Sequence, residues 1–436
     1  MQQLQLTTGS YGHMLNSHQV FSPDDNWVVY DTRNDQTHIS RTCCVEMANV
    51  HTGEIVKLYE APNQTIHGPG VGAAAWNPIE NRIIFIHGLL SCDESHPYSF
   101  TRRFGAILDT PYPFRIRPAE SRTIATPLIA GALRGGTHAH SWSSDGKWIS
   151  FTYNDFLMEQ LEQKSGGRVR DLRTIGVMSP VRSVKISPES RENFSGNYFS
   201  AIAATVTEDP QYGGDEIEKA FDECWIGRNG YIKKDGARQK RAIAFQGHVR
   251  TKDGSLLTEI FIADIPENIT RAIEGHPLQG TLTSRPGVPS GFEQRRLTFT
   301  GGRKYPGLQG PRFWLRSAPD GSFIYFLMKD EDGIIQIFEV SVHGGDIRQI
   351  TSLATSVQSQ FNPSPDGKAL AVISDNGVWK IDIQSGRSVR LTEKAGDDDA
   401  PQLAVHWNHS GNMLVYNRYV GSGKKRYLQI FKIEVY

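Results

Sequence analysis

One short pattern constrains this chain more than any other: a tight turn of the S-P-D-G type, set between two apolar segments, that keeps returning. FSPDDNWVVYD begins at Phe21, WNPIENRIIFIHG at Trp76 and WSSDGKWISFTYND at Trp142. SAPDGSFIYFLMKDEDG begins at Ser317, PSPDGKALAVISDNG at Pro363 and WNHSGNMLVYNRYVG at Trp407. The turn has a mechanism: Pro presets φ, Asp caps the turn, and Gly takes the positive φ. Two further strand-like segments follow each hairpin, as IIQIFEVSV and DIRQIT follow FLMKDEDG. Four short antiparallel strands repeating at roughly 45 residues mark a blade of a β-propeller.

Seven such units can be assigned, so the expected fold is all-β: a seven-bladed propeller of four-stranded antiparallel blades filling residues 1–436. A chain this long exceeds one ordinary compact core, and radial repetition resolves that. The seventh unit lacks a strand. The N-terminal QLQLTTG resembles the fourth-strand segments RQIT and VRLT, so it is expected to close the last blade and remove the exposed edges. Blade three is read as HAHSWS, WISFTYN, RTIGVMSP and VRSVKI, and blade four as starting with FSAIAATVT. Residues 212–227 place Ile217, Ala220, Phe221 and Trp225 at helical spacing behind Asp215, which predicts an inserted helix. Residues 265–292 are Pro/Gly-rich and predict a surface loop.

Composition narrows the partners. Lys+Arg and Asp+Glu both number 47, so no basic surplus exists to neutralise a phosphate backbone, and nucleic acid is not expected. No apolar run reaches the roughly 18 residues of a membrane span. The first residues lack the charged and apolar regions of a secretory signal, and a cytoplasmic location is expected. The cysteines are Cys43, Cys44, Cys92 and Cys224; they make no zinc spacing and read as free thiols. Adjacent Cys43 and Cys44 are expected on opposite faces of a strand.

The blade plan sorts polar residues by face. With the S-P-D-G turns at the bottom, second-strand ends and first-strand starts share the top. That places Asp31, His87, Asn154, Asp155, Gln246, His248, Lys329 and Asp375 there, with Ser17, His18, His138, His140, Arg312 and Gln358. The loop after His87 adds Arg102 and Arg103. Convergent polar groups in a concavity are the default binding site. Period two puts His138 and His140 on one strand face, a geometry suited to one metal ion or to hydrogen bonds between blades.

Over nearly its full length the chain resembles the YidR proteins of enterobacteria, a propeller family of unknown function. RGGTHAHSWSSDGKWISFTYND, GGDEIEKAFDECWIG, QRRLTFT and YPGLQGPRFW carry that resemblance. It implies a TolB-like propeller. THAHSWSSDGKWISFT also resembles a segment of the oligogalacturonate lyases, seven-bladed propellers that cleave uronate oligomers by β-elimination and hold a divalent metal, typically manganese. That resemblance implies His138 and His140 as metal ligands. Gly135 stands where the lyase glutamine would fall, which leaves Gln246 as the substitute if blade four brings it close.

The expected function is then a metal-assisted lyase or other enzyme on an acidic oligosaccharide held in the channel. His87 or His248 would be the base, and Arg102, Arg103 or Arg312 would pair with a carboxylate. Tyr305 and Trp314 would stack on sugar rings, with Asp155 and Lys329 as further substrate contacts. The alternative is a non-catalytic TolB- or WD-like propeller that binds a protein or small-molecule partner. No GxSxG motif occurs, so a serine peptidase is not expected.

Overall fold

In a computed structural model, the described residues are 2–110, 112–311 and 314–435. They form the expected seven-bladed ring. Blade two shows the plan: Val71–Trp76, Arg82–Gly88, Arg103–Asp109 and Ile116–Pro118 pair antiparallel in that order from the inside outwards. Blades three to six repeat it. Blade one has three regular strands, and its inner edge is completed by single bridges from Met14 to Asp31 and Phe21 to Val28. In blade seven, Gln3–Gln5 lies antiparallel to Lys425–Glu434, with Gln3 opposite Ile433. The ring is therefore closed as the sequence implied.

The recurring turn is built by its own side chains. Ser143 Oγ donates to Asp145 Oδ1 and accepts from Trp148 N at 2.9 Å, while Gly146 sits at φ +68°. Ser364, Asp366 and Gly367 repeat this in blade six, and Ser22 and Asp24 in blade one. Apolar faces then pack between blades. Ile84, Ile107, Trp142, Ile149 and Phe151 join blades two and three. Phe245 and Phe261 stack at 5.7 Å within the core shared by blades three and four. Each fully buried aromatic of this kind contributes on the order of 2–3 kcal/mol.

Two expectations are corrected. Residues 212–227 hold no helix: Lys219–Trp225 is the innermost strand of blade four, paired with Ala242–Arg250. Asp222 sits at φ +52° in a bulge, where the register shifts between Phe221 and Cys224. A bulge adds one residue to a period of two, and the resulting spacing imitates a helix. Consequently Phe199–Ile202 is the outermost strand of blade three rather than the first of blade four, and 181–186 forms no sheet strand.

The helix lies instead at Phe156–Ser165, between the second and third strands of blade three. Asp155 caps it by accepting from Leu157 N and Met158 N, and Gly166 ends it at φ +64°. Most of residues 265–292 run as irregular loop, as expected. Among the described residues, no helix is long and apolar enough to cross a membrane.

Candidate functional site: a cationic channel mouth

The inner strands of blades two, three and four share one device. Ala73, Ala139 and Asp222 each stand three residues before the inner-strand tryptophan, at φ +55°, +57° and +52°. Each marks a bulge. Bulges of this kind re-aim side chains near sites.

In blade three the bulge separates the two histidines. His138 faces a top cavity of about 380 Å3. His140 turns toward blade two, with Nε2 2.8 Å from Thr137 Oγ1, and Gly105 is glycine because a Cβ there would lie 2.9 Å from that nitrogen. Thr137 in turn donates to the buried Glu120 at 2.5 Å. The pair expected to chelate one ion therefore diverges. Gln246 is fully buried in the second strand of blade four, opposite Phe221 and Ile260. Among the described residues, the three-donor group of His, Cys, Asp and Glu ligand atoms close enough to share a cation is elsewhere, at Cys43, Cys44 and Glu60. The donor set His138, His140 and Gln246, as placed, does not fit a metal ion.

What converges on the cavity is positive charge. Arg33, Arg103 and Arg173 line it with His138, Phe100, Trp314 and Asp222. Arg33 is neutralised by a bidentate pair to Asp31, at 2.6 and 2.7 Å. Arg103 is not. It is 2% exposed and donates from Nη1 to the Tyr98 hydroxyl at 3.0 Å, while Nε and Nη2 have no hydrogen-bond partner among the described residues. The Arg103 and Arg173 guanidiniums lie 4.8 and 5.0 Å from the centroid of Phe100, a ring 56% exposed at the rim. Arg173 donates from Nε to the Asn154 side chain at 3.1 Å.

The electrostatics follow. Burial, then Arg103 and Arg173, hold the His138 imidazole well below its ordinary pKa, so it is neutral at pH 7. Its Nδ1 is buried without a hydrogen-bond partner among the described residues. Burial, then Arg103, also lowers Arg173, and burial, then Arg173, lowers Lys219; Asp222 opposes both shifts. The lining thus carries Arg103 and Arg173 together with Asp222, and Lys219 stands near Arg173 outside it. A buried guanidinium with two of its three nitrogens left without an acceptor is costly, and an anionic ligand relieves that cost.

Most other candidates hold the fold rather than the cavity. His87 is fully buried: Nε2 lies 2.8 Å from the Tyr59 hydroxyl and Nδ1 2.5 Å from the Gly88 carbonyl. With both nitrogens engaged, and its pKa pushed down to about 4 by burial, it is not placed as a base. His248 packs edge-on against Phe221 at 5.0 Å, in register with Lys219 and outside the cavity lining. Arg102 pairs with Glu192 at 3.0 Å and donates to Ser91. Asp155 is taken by Arg134 at 2.6 Å and by the helix cap. Tyr305 and Lys329 meet, the ammonium 5.3 Å from the ring centroid, but do not line the cavity. Arg312 lies outside the described residues. Arg103 and Trp314 line the cavity.

Arg173 and Asp222 were missed. Third strands also begin on the top face, so the rule applied to first and second strands, extended to DLRTIG, finds Arg173. Asp222 was hidden by the helix expected over it.

Comparison with known proteins fits this fold. The chain is 34% identical over 415 residues to the uncharacterized protein YidR of Escherichia coli K12, covering 94% of each. Residues 70–194 match a family model described as a protein of unknown function, DUF3748. An oligogalacturonate lyase in complex with manganese superposes with a TM-score of 0.55 at 10% identity, over 100% of this chain and 93% of the other. The oligogalacturonate lyase of Vibrio parahaemolyticus gives 0.52 at 9% identity, over the same shares. At such identities the likeness is one of fold.

Proposed function

The chain belongs to the YidR family, and we propose that its channel mouth binds a carboxylate-bearing sugar, an oligomer of uronic acid, on which it acts as a lyase. The observation that carries this reading is Arg103: buried, with Nε and Nη2 unpartnered, beside Arg173. A guanidinium fork is matched to a carboxylate. Phe100 and Trp314 offer faces for sugar rings, and a cavity near 380 Å3 suits one or two of them. Four cysteines, none in a disulfide, agree with a reducing cytoplasm.

Elimination needs a base for the proton on the carbon next to the carboxylate. It also needs positive charge where the electron pair then accumulates. Neutral His138 supplies the base through a ring nitrogen, taking over the role expected of His87 and His248. Arg103 and Arg173 stabilise the enediolate oxygens; the electron pair then forms the double bond as the bond to the leaving sugar oxygen breaks, and that oxygen takes a proton from solvent. No step is assigned to a metal, because the donor set expected to hold one does not converge.

The test is calorimetric titration with galacturonate oligomers against neutral oligomers of the same length, alongside ultraviolet detection of the conjugated elimination product. Binding of the acidic series alone, with product formed, is expected. Equal affinity for both series, or none for either, overturns the reading. Binding without product leaves a uronate-binding propeller, which the depressed pKa of His138 favours because a weaker base slows proton removal.

A further inference from the structure

The top of blade one brings together two thiols and a carboxylate. The regular strand starts only at Cys44, in Cys44–Asn49, and Cys43 precedes it. Strand alternation therefore does not separate the pair, and the expected opposite-face arrangement is corrected: the two Sγ atoms lie 2.8 Å apart. Cys44 stands opposite Glu60 in the antiparallel register, and Cys43 is fixed by Ala61 N donating to its carbonyl at 2.8 Å. One ligand atom from each of Cys43, Cys44 and Glu60 lies within 4.8 Å of the others. Cys43 is half-buried and Glu60 is 59% exposed, so the group is open to solvent.

We infer that Cys43, Cys44 and Glu60 form a binding site for a thiophilic divalent cation of the zinc and cadmium class. Sulfur donors select such ions, and a mixed set of two sulfurs and one oxygen leaves a fourth tetrahedral position to water. The step is an exchange without redox change: two metal–sulfur bonds form, two S–H bonds break, and two protons pass to solvent. Two sulfurs bound to one tetrahedral zinc at about 2.3 Å stand roughly 3.8 Å apart, so the thiols separate by about 1 Å on binding. Two thiolates and a carboxylate overbalance the cation by one negative charge. Lys57, which donates to Glu60 Oε2 at 2.8 Å, offsets it. None of the three donors lines the channel cavity, so this site is independent of the proposed lyase.

The experiment is titration of the reduced full-length protein with cadmium chloride, following the sulfur-to-cadmium ultraviolet band and the cadmium retained after gel filtration. One ion per chain with the band is expected. Cys43→Ser and Cys44→Ser should each abolish the band, and Cys92→Ala should keep it. Glu60→Gln, at an exposed position that does not threaten folding, should weaken binding by at least about tenfold, the loss seen even for outer-shell partners. Should Cys44→Ser fail to fold, Cys43→Ser and Glu60→Gln carry the test. Absence of cadmium uptake by the wild type, retained uptake in the folded serine variants, or unchanged affinity in Glu60→Gln overturns the site.

Discussion

Blades two and three differ from blades six and seven most plainly in the top loop between the second and third strands. In blades six and seven that loop is residues 375–376 and 423–424. In blades two and three it is residues 89–102 and 156–173. The short loops only reverse the chain. The long ones carry Phe100 and the helix, and they deliver Arg103 and Arg173 to the mouth. Thr101 donates to Glu159 at 2.7 Å and ties one long loop to the other. The scaffold repeats; the departures from the repeat build the site.

That division can be broken from either side. In blade five, which turns as shortly at the top over residues 330–334, Phe326→Ala removes a fully buried ring stacked near Phe338. A loss of about 3–5 kcal/mol is expected by denaturant unfolding, with affinity for acidic sugars kept in the folded fraction. In the irregular half, Arg103→Ala should do the opposite. Losing a charged hydrogen bond costs about 1.5–3 kcal/mol of binding, roughly 10- to 100-fold in Kd by calorimetry, while relief of an unpaired buried charge leaves stability unchanged or higher. A drop in stability without a drop in affinity would place Arg103 in the scaffold. Smaller still, Ser364→Ala removes the turn hydroxyl that Ala369 N donates to, and about 1 kcal/mol of stability should go with it.

The mildest effect is on pH dependence. Burial raises Glu120 to about 7 and Glu223 to about 8. The folded state therefore binds more protons than the unfolded state between the ordinary carboxylate value and those values, and stability falls as pH rises through that window. Buried His87, His140 and His406 are lowered to about 4, 3 and 3, chiefly by burial. Their contribution is full above the model value of 6.5 and is lost progressively as pH falls from there to the lowered values. Thermal melts should show highest stability near the ordinary histidine value, about 6.5, and Glu223→Gln should flatten the fall above it and steepen the rise below it. A slope unaltered by that change would refute the assignment.

The repeat, the number of blades and the closing strand were legible because a turn with fixed chemistry recurs, and because four-stranded blades leave a countable gap. Blade four was misread where Asp222 takes a positive φ, since a single bulge turns a period of two into something nearer to a helix. The same feature at Ala139 undid the metal pair: period two predicts a shared face for His138 and His140 only on an unbroken strand. The helix at Phe156–Ser165 was overlooked because its cap, Asp155, also ends a strand, so one residue carried two signals. Arg103 was readable from its loop; Arg173 needed the three-dimensional fact that third strands also start on top.

The pairing of Gln3–Gln5 with the last strand carries a consequence for synthesis. Thr7 Oγ1 donates to Gln429 across more than 420 positions of chain. Gln3–Gln5, earliest in the chain of the ring's strands, is thus the last to find its neighbour, and it waits unpaired while six blades assemble behind it. Until the C-terminal hairpin emerges, the nascent molecule is an open arc with a sticky edge at each end. It is the stage at which a chaperone, or a second nascent arc, would meet it.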